Sequence, residues 1–115
     1  MYQSRNAGKI VELPAITSIA ETLDARKTQP ALCEIVSRHI SDLVTVSDDD
    51  AMLALLEILH SEKLLTEPAT SCSVAALTQG KIGIRHGENV VIVLCGANIA
   101  MVDIRNWAER NRPRR

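Results

Sequence analysis

Aromatic side chains are nearly absent from this chain of 115 residues, which contains no Phe, one Trp and one Tyr. A core must therefore be built from Leu, Ile, Val and Ala, and a pocket within it cannot grip a planar ring between aromatic side chains. The length favours a single domain over residues 1–115, because a chain of this size buries roughly two-thirds of its unfolded surface on folding. The remaining composition, 46% hydrophobic and 23% charged, is that of an ordinary globular protein.

Cysteine is also scarce, and its pattern excludes two classes of protein. Cys33, Cys72 and Cys95 are far apart and odd in number, and no CxxC or Cys/His pair has zinc spacing. We therefore expect reduced thiols and no metal site. Long apolar runs are missing too, since no stretch approaches the ~20 apolar residues that cross a bilayer and the N-terminus has no apolar signal-peptide core. These absences predict a cytoplasmic protein without a membrane partner.

An excess of charge of either sign is missing as well. The formal net charge is −1, so no global field recruits nucleic acid. Residues 105–115 form a basic C-terminal tail, and such an arm can contact phosphate, but no aromatic residue lies among the arginines at positions 110–115 to stack bases. A solvated, poorly ordered terminus is the favoured interpretation, and we expect no nucleic-acid partner.

The spacing of apolar residues predicts five helices and two strands. The helices are expected at residues 14–23, from Pro30 onward, from Asp48 to about His60, through the small-residue stretch that ends at Gly80, and at 99–110, with Val102 and Trp107 turned inward in the last. The strands are expected at residues 43–46 and 90–94. This alternation is typical of an α/β protein. Two parallel strands are too few to be stable alone, so either further strands escape detection or the sheet is completed elsewhere.

The helix from Asp48 has the clearest start and the broadest apolar surface. Ser47 is a typical N-cap residue, and three aspartates follow it in the first turn, where they complement the helix dipole. Apolar residues then cover more than half of the helix circumference between Met52 and Leu59. We expect this helix to be covered on two sides.

The run VVIVLCGANIA at residues 90–100 ends in a pattern that indicates ligand binding. Its first five apolar residues are stopped by Cys95 and Gly96, which is typical of a buried strand whose C-terminal end opens into a tight turn before a helix. Open parallel sheets hold their ligands at that end of a strand.

Three separated motifs carry a family resemblance. They are AGKIVELPAITSIAETLDARKT at residues 7–28, LVTVSDDDAMLALLEILHSEKLLTEPATSCSVAAL at 43–77, and VVIVLCGANIA. In order and spacing they resemble AGK-x-V-x-LP-x-ITS-[IV]-A, V-x-VSD-x-E…K-x-x-x-EPA-[GC]-x-x-x-A-A-L and V-V-x-[LC]-[SC]-G-G-N of the catabolic L-serine and L-threonine dehydratases. Those are pyridoxal-phosphate enzymes of fold type II, with the fold of the tryptophan synthase β subunit.

The resemblance implies a fold, a reaction and partners. The implied fold is part of an α/β three-layer sandwich, with few parallel strands flanked by helices, equivalent to the C-terminal part of the large cofactor-binding domain. The implied reaction is that of an ammonia-lyase, which converts L-serine or L-threonine into a 2-oxo acid and ammonia by α,β-elimination on pyridoxal 5′-phosphate. The implied partners are further copies of the chain or a missing N-terminal portion.

The resemblance also assigns four residues to the cofactor. Cys95 matches a Ser or Cys that contacts the pyridine nitrogen, Gly96 would let the backbone approach the ring, Asn98 would brace the turn or cap the next helix, and Glu67 matches a glutamate on the pyridine side of the pocket. A thiol with a pKa of about 8.5 leaves the nitrogen largely neutral, which suits elimination. The alternatives are a small core cysteine and, at Glu67, a helix first-turn acid.

Departures from the family pattern bear on catalysis. Thr70, Ala97 and the pair Glu21 and Thr22 add side-chain atoms where the pattern prefers room. No lysine has the S-x-K-x-R context of the family's Schiff-base residue, and the five glycines are too scattered to form a phosphate loop. We therefore expect no catalytic residue in this chain and no activity from it alone.

Two other functions are compatible with the sequence. A non-catalytic α/β oligomerisation or regulatory module is favoured by the broad apolar surface between Met52 and Leu59, which needs a covering partner. A thiol-based redox protein that uses Cys95 is the third interpretation.

Overall fold

The computed structural model describes residues 1–110, which form two compact units, Met1–Thr45 and a second that begins at Val46. Five α-helices and one short 3-10 helix make up the regular structure, and no strand occurs among these described residues. The helices are α1 (Tyr2–Ala7), α2 (Pro30–His39), α3 (Asp48–Glu62), α4 (Pro68–Thr78) and α5 (Met101–Arg110), and the 3-10 helix is Glu21–Leu23.

The first unit begins with a helix that the apolar spacing did not predict. Helix α1 ends at Gly8, whose φ of 63° is the left-handed conformation that suits glycine at a helix C-terminus. Ser4 is 1% exposed, and its hydroxyl accepts a hydrogen bond from the Val11 N–H at 3.0 Å. The Arg5 guanidinium donates to the Ser41 carbonyl at 2.9 Å. These bonds hold the chain on both sides of the turn at Gly8.

The predicted helix at residues 14–23 is wrong, because only Glu21–Leu23 is helical and it is a 3-10 turn. The Leu13 N–H donates to the Arg26 carbonyl at 2.7 Å, which closes the segment into a loop. Within it, the Ser18 hydroxyl accepts the Ala20 N–H at 3.0 Å, a local bond that competes with helix formation. Ile16, expected on the apolar face, is 43% exposed.

The predicted strands at residues 43–46 and 90–94 are also wrong for the described chain, where neither has regular secondary structure. A strand exists only when a neighbouring strand pairs with its backbone, and residues 1–110 include no such neighbour. Val91, placed in the second strand, is 87% exposed. The apolar pattern of a strand is present at 90–94 without the sheet that would bury it.

The second unit has its core between α3 and α4, a pairing that the sequence did not predict. Helix α3 starts after Ser47, whose hydroxyl accepts the Asp50 N–H at 3.1 Å and so confirms the N-cap. Leu55 of α3 and Ser71 of α4 are both fully buried. The Ser71 hydroxyl donates to the Ala51 carbonyl at 2.6 Å. The small side chains of α4 therefore let the two helices approach closely.

Helix α5 presents a different face from the one predicted. Ile104 and Trp107 are buried, at 6% and 8% exposure, whereas Val102 is 49% exposed. Residues three apart share a helix face and residues two apart do not, so Val102 cannot lie on the face that Ile104 and Trp107 define. The Trp107 indole N–H donates to Asp49 Oδ1 at 2.9 Å. The prediction that Trp107 faces inward is thus confirmed, and the prediction that Val102 faces inward is wrong.

The C-terminal part of the chain begins as helix. Residues 105–110 of the predicted basic tail form the second half of α5, and the rest of that tail lies outside the described residues. Across residues 1–110, every helix is too short or too polar to span a lipid bilayer.

Candidate functional site

The candidate site lies where α4 begins. Pro68 occupies the first turn of α4, where its missing N–H leaves no hydrogen bond unmade. Glu67 precedes it, and its carbonyl accepts the N–H groups of Thr70 and Ser71, each at 3.1 Å. The Glu67 residue is 7% exposed. The start of α4 therefore fixes Glu67 in a buried position.

The segment at residues 95–98 has no regular secondary structure and leads into a tight bend at Ala97–Ile99, and this segment, called the turn at residues 95–98 below, is bonded to Glu67 at two points. The Glu67 N–H donates to the Gly96 carbonyl at 3.1 Å. The Asn98 N–H donates to Glu67 Oε2 at 2.9 Å. The Ile99 N–H donates back to the Ala97 carbonyl at 2.9 Å, which tightens the turn. The backbone N–H and the side-chain carboxylate of Glu67 thus bond to two points of the same turn.

Gly96 has a steric reason to be glycine. A Cβ on this residue would lie 2.6 Å from Glu67 Cδ and from Oε1, and 3.0 Å from Oε2. Contacts that short do not occur between real atoms of these types, so a larger residue at position 96 requires the Glu67 carboxylate, the far end of a side chain, to move. The four other glycines have no atom within 4 Å of the equivalent position.

Cys95 lies next to Gly96 and is exposed. Its Sγ is 3.8 Å from Oγ1 of Thr70, one turn into α4, within reach of a weak thiol–hydroxyl hydrogen bond. Cys72 is a different kind of thiol, because burial, with the Asp48 carboxylate adding to it, raises the pKa of the Cys72 thiol. Of the two cysteines in this unit, Cys95 is the accessible one.

The structure brings together the four residues that the sequence assigned to one site: Cys95, Gly96 and Asn98 lie on the turn, and Glu67 is bonded to it. It adds Thr70, which the sequence singled out only as a departure from the family pattern. The sequence did contain a signal for Thr70, because residues 67 and 70 are three apart at the start of a helix and so lie on the same side of it. The chemistry gathered here is a thiol, a hydroxyl and a buried carboxylate.

The chain's overall fold places it in a known class of structure. It superposes on a fungal L-serine ammonia-lyase from Rhizomucor miehei with a TM-score of 0.84, over 94% of this chain and 36% of that one, at 19% identity. Residues 1–96 match the family described as pyridoxal-phosphate dependent enzyme. The chain belongs to that family, and the predicted family and cofactor class are confirmed.

Curated relatives carry related names. A phenylserine dehydratase of Ralstonia pickettii is 36% identical over 98 residues, which cover 85% of this chain and 30% of the relative. An L-serine dehydratase/L-threonine deaminase of Bos taurus is 33% identical over 112 residues, which cover 90% of this chain and 34% of the relative. The chain therefore spans about a third of the length of the curated relatives it matches.

Proposed function

We propose that this chain is the C-terminal portion of a pyridoxal-phosphate-dependent lyase that converts L-serine or L-threonine into a 2-oxo acid and ammonia. Family membership and the names of the relatives support the reaction class. The observation that carries the proposal is the turn at residues 95–98, which presents the Cys95 thiol at an exposed position beside α4.

The residues of the site fit the pyridine end of the cofactor. The nitrogen of that ring needs one polar contact, and the accessible Cys95 thiol supplies it, with the Thr70 hydroxyl 3.8 Å away to orient its hydrogen. A free thiol has an ordinary pKa of about 8.5 and so leaves the nitrogen largely unprotonated, whereas a carboxylate would favour the protonated nitrogen. When bound, the cofactor supplies the electron withdrawal that makes the substrate Cα–H acidic.

Each neighbouring residue has a different part in this proposal. Gly96 keeps the backbone free of side-chain atoms beside Cys95, and Asn98 anchors the far end of the turn through its N–H. Glu67 stays assigned to the cofactor side of the fold, as the family resemblance implies. The predicted three-layer sandwich belongs to the same proposal.

The Schiff-base lysine and the phosphate loop must come from outside these 115 residues, so the chain alone is proposed to be inactive. Four side chains at residues 90–94 offer a surface for such an association: Val90, Val91, Val93 and Leu94 are 48%, 87%, 71% and 42% exposed. Apolar side chains exposed on both sides of one segment are typical of a central strand without its sheet. The proposed partner is the remaining portion of the fold, and the assembled enzyme is proposed to be a homo-oligomer.

The test begins with the chain by itself. Purified chain mixed with pyridoxal phosphate and L-serine is expected to give no pyruvate and no cofactor adduct that borohydride fixes to a lysine. Either product would overturn the proposed inactivity, because one of the chain's own lysines would then have taken the missing role.

The second arm adds a polypeptide that supplies the remaining part of a family dehydratase. Restored serine turnover should fall about tenfold in Cys95→Ala, the effect of one hydrogen bond of ~1.4 kcal/mol, and should be largely retained in Cys95→Ser. Cys33→Ala is the matched control, since Cys33 lies in the other unit. Equal rates for Cys95→Ala and the unsubstituted chain would contradict the assignment of Cys95.

The alternative function is a non-catalytic oligomerisation or regulatory module. The exposed side chains at residues 90–94 favour it as well, since they would cover each other in a self-assembly. A stable oligomer by light scattering, together with no cofactor binding in the presence of the added polypeptide, would support this alternative over the lyase.

A further inference from the structure

We infer that Glu67 is a positioning residue, whose carboxylate holds the turn at residues 95–98 and so fixes where Cys95 lies. The orientation of Cys95 toward a cofactor rests on the proposed function. The hold of Glu67 on the turn stands on the contacts alone.

The first step is that Glu67 makes two hydrogen bonds to the turn, one as a donor and one as an acceptor. Its N–H donates to the Gly96 carbonyl at 3.1 Å, and its Oε2 accepts the Asn98 N–H at 2.9 Å. Two such points define both the position and the direction of a short segment, whereas one would leave it free to rotate.

The second step is that the carboxylate faces the turn. Its Cδ and Oε1 both lie 2.6 Å from where a Gly96 Cβ would be, and the whole residue is only 7% exposed. The carboxylate is packed against the bare face of Gly96. Its position at the start of α4 also places its charge at the positive end of the helix dipole.

The third step connects this packing to the thiol. Cys95 precedes Gly96 directly, and its Sγ meets Thr70 at 3.8 Å, while the Thr70 N–H bonds the Glu67 carbonyl at 3.1 Å. Helix α4 is itself anchored to α3 through the buried Ser71 hydroxyl. The thiol is therefore held against α4 at two places, directly at Thr70 and, through the adjacent Gly96, at Glu67.

A specific coupling between two positions follows. Alanine at position 96 must push the Glu67 carboxylate aside, which breaks the bond to Asn98, and Glu67→Ala removes the same bond directly. Substitutions that act through one shared contact are not additive. The double variant should therefore resemble Glu67→Ala alone.

The test is amide hydrogen exchange, measured by NMR on the full chain and its variants. The Asn98 amide should exchange about tenfold faster in Glu67→Ala, about tenfold faster in Gly96→Ala, and still only about tenfold faster in the double variant, against about a hundredfold if the sites were independent. The Leu55 amide in the core reports whether the whole unit has opened, and each Asn98 rate is compared with it. Gly83→Ala is the matched glycine control, because nothing lies within 4 Å of its Cβ position.

Glu67→Gln separates positioning from general stability. Its side-chain oxygen can still accept the Asn98 N–H, so the Asn98 exchange rate should stay within about threefold of the original. Multiplied effects in the double variant, or a Glu67→Gln variant as fast as Glu67→Ala, would overturn the inference. Because no cofactor enters these measurements, failure of the lyase proposal leaves them interpretable, and failure of this inference leaves the Cys95 turnover test intact.

Discussion

At the scale of single residues, Thr66 is an unsatisfied neighbour of the site. It is 3% exposed, and its Oγ1 is buried without a hydrogen-bond partner in the described structure. A buried hydroxyl that makes no hydrogen bond destabilises the folded state, so the isosteric Thr66→Val should raise the free energy of unfolding by about 1 kcal/mol. Urea denaturation followed by circular dichroism measures the change.

Thr78→Val is the control for that prediction. The Thr78 hydroxyl donates to the Ala75 carbonyl at 3.2 Å, so its removal should be neutral or slightly destabilising. A loss of stability in Thr66→Val as large as any in Thr78→Val would mean that the Thr66 hydroxyl has a partner in solution.

Single residues also define how far the sequence could predict the site. Cys95, Gly96, Asn98 and Glu67 were grouped by resemblance to a family, and no spacing rule could have paired residues 67 and 98 across a separation of 31 positions. The sequence offered backbone approach to a ring as the reason for Gly96. The contact with the Glu67 carboxylate is a second reason, and it is visible only in three dimensions.

At the scale of elements, the sequence predicted a helix correctly where the residue that starts the helix is recognisable by itself. Pro30 at the start of α2 and Ser47 at the start of α3 are examples, since each acts within one turn of itself. Residues 14–23 have helical spacing, yet the pairing of Leu13 with Arg26 keeps them in a loop. The strand at 90–94 needed a neighbour that no local pattern supplies. The helix at 14–23 and the strand at 90–94 both depend on distant partners, and both were predicted wrongly.

The N-cap of α3 gives a prediction about pH. Hydrogen bonds from Ser47 and Gln79, with the charge of Lys81, hold the pKa of Asp50 below its ordinary value of 3.8. A carboxyl whose pKa is lowered by folding stabilises the folded state above the unfolded pKa, and the stabilisation disappears as the pH falls through the folded pKa. Ser47→Ala should therefore lower stability at pH 7 and reduce the further loss below about pH 4.

Urea midpoints at neutral and acidic pH measure this effect. Ser61→Ala is a suitable comparison, because the Ser61 hydroxyl bonds only the Glu57 carbonyl within α3 at 2.8 Å. The difference between neutral and acidic midpoints should shrink in Ser47→Ala and stay unchanged in Ser61→Ala. An unchanged difference in both variants would show that Ser47 does not influence the ionisation of Asp50.

At the scale of the whole molecule, the chain exposes the apolar segment at residues 90–94 that we propose as a contact surface. Val91 is 87% exposed, so Val91→Lys should leave the unfolding free energy within about 0.5 kcal/mol of the original. The same substitution should abolish the proposed association with the remaining part of the fold, because a charge cannot enter a sheet interior. Analytical ultracentrifugation of the mixed polypeptides measures the association.

Val102→Lys is the matched valine control for that experiment. Val102 lies on the exposed side of α5, at 49% exposure, away from residues 90–94 in sequence. It should reduce association much less than Val91→Lys. Undiminished association in Val91→Lys would place the contact surface elsewhere on the chain.

The packing of Glu67 against Gly96 also affects the order in which substitutions at these two positions can accumulate during evolution. A larger residue at position 96 meets the carboxylate at 2.6 Å, so such a change must displace the Glu67 side chain and its hydrogen bond to Asn98. A substitution at position 67 can come first, since a shorter residue there leaves a space that glycine does not fill. Substitution histories that pass through position 67 first should therefore avoid a steric conflict that those beginning at position 96 resolve only by moving the Glu67 side chain.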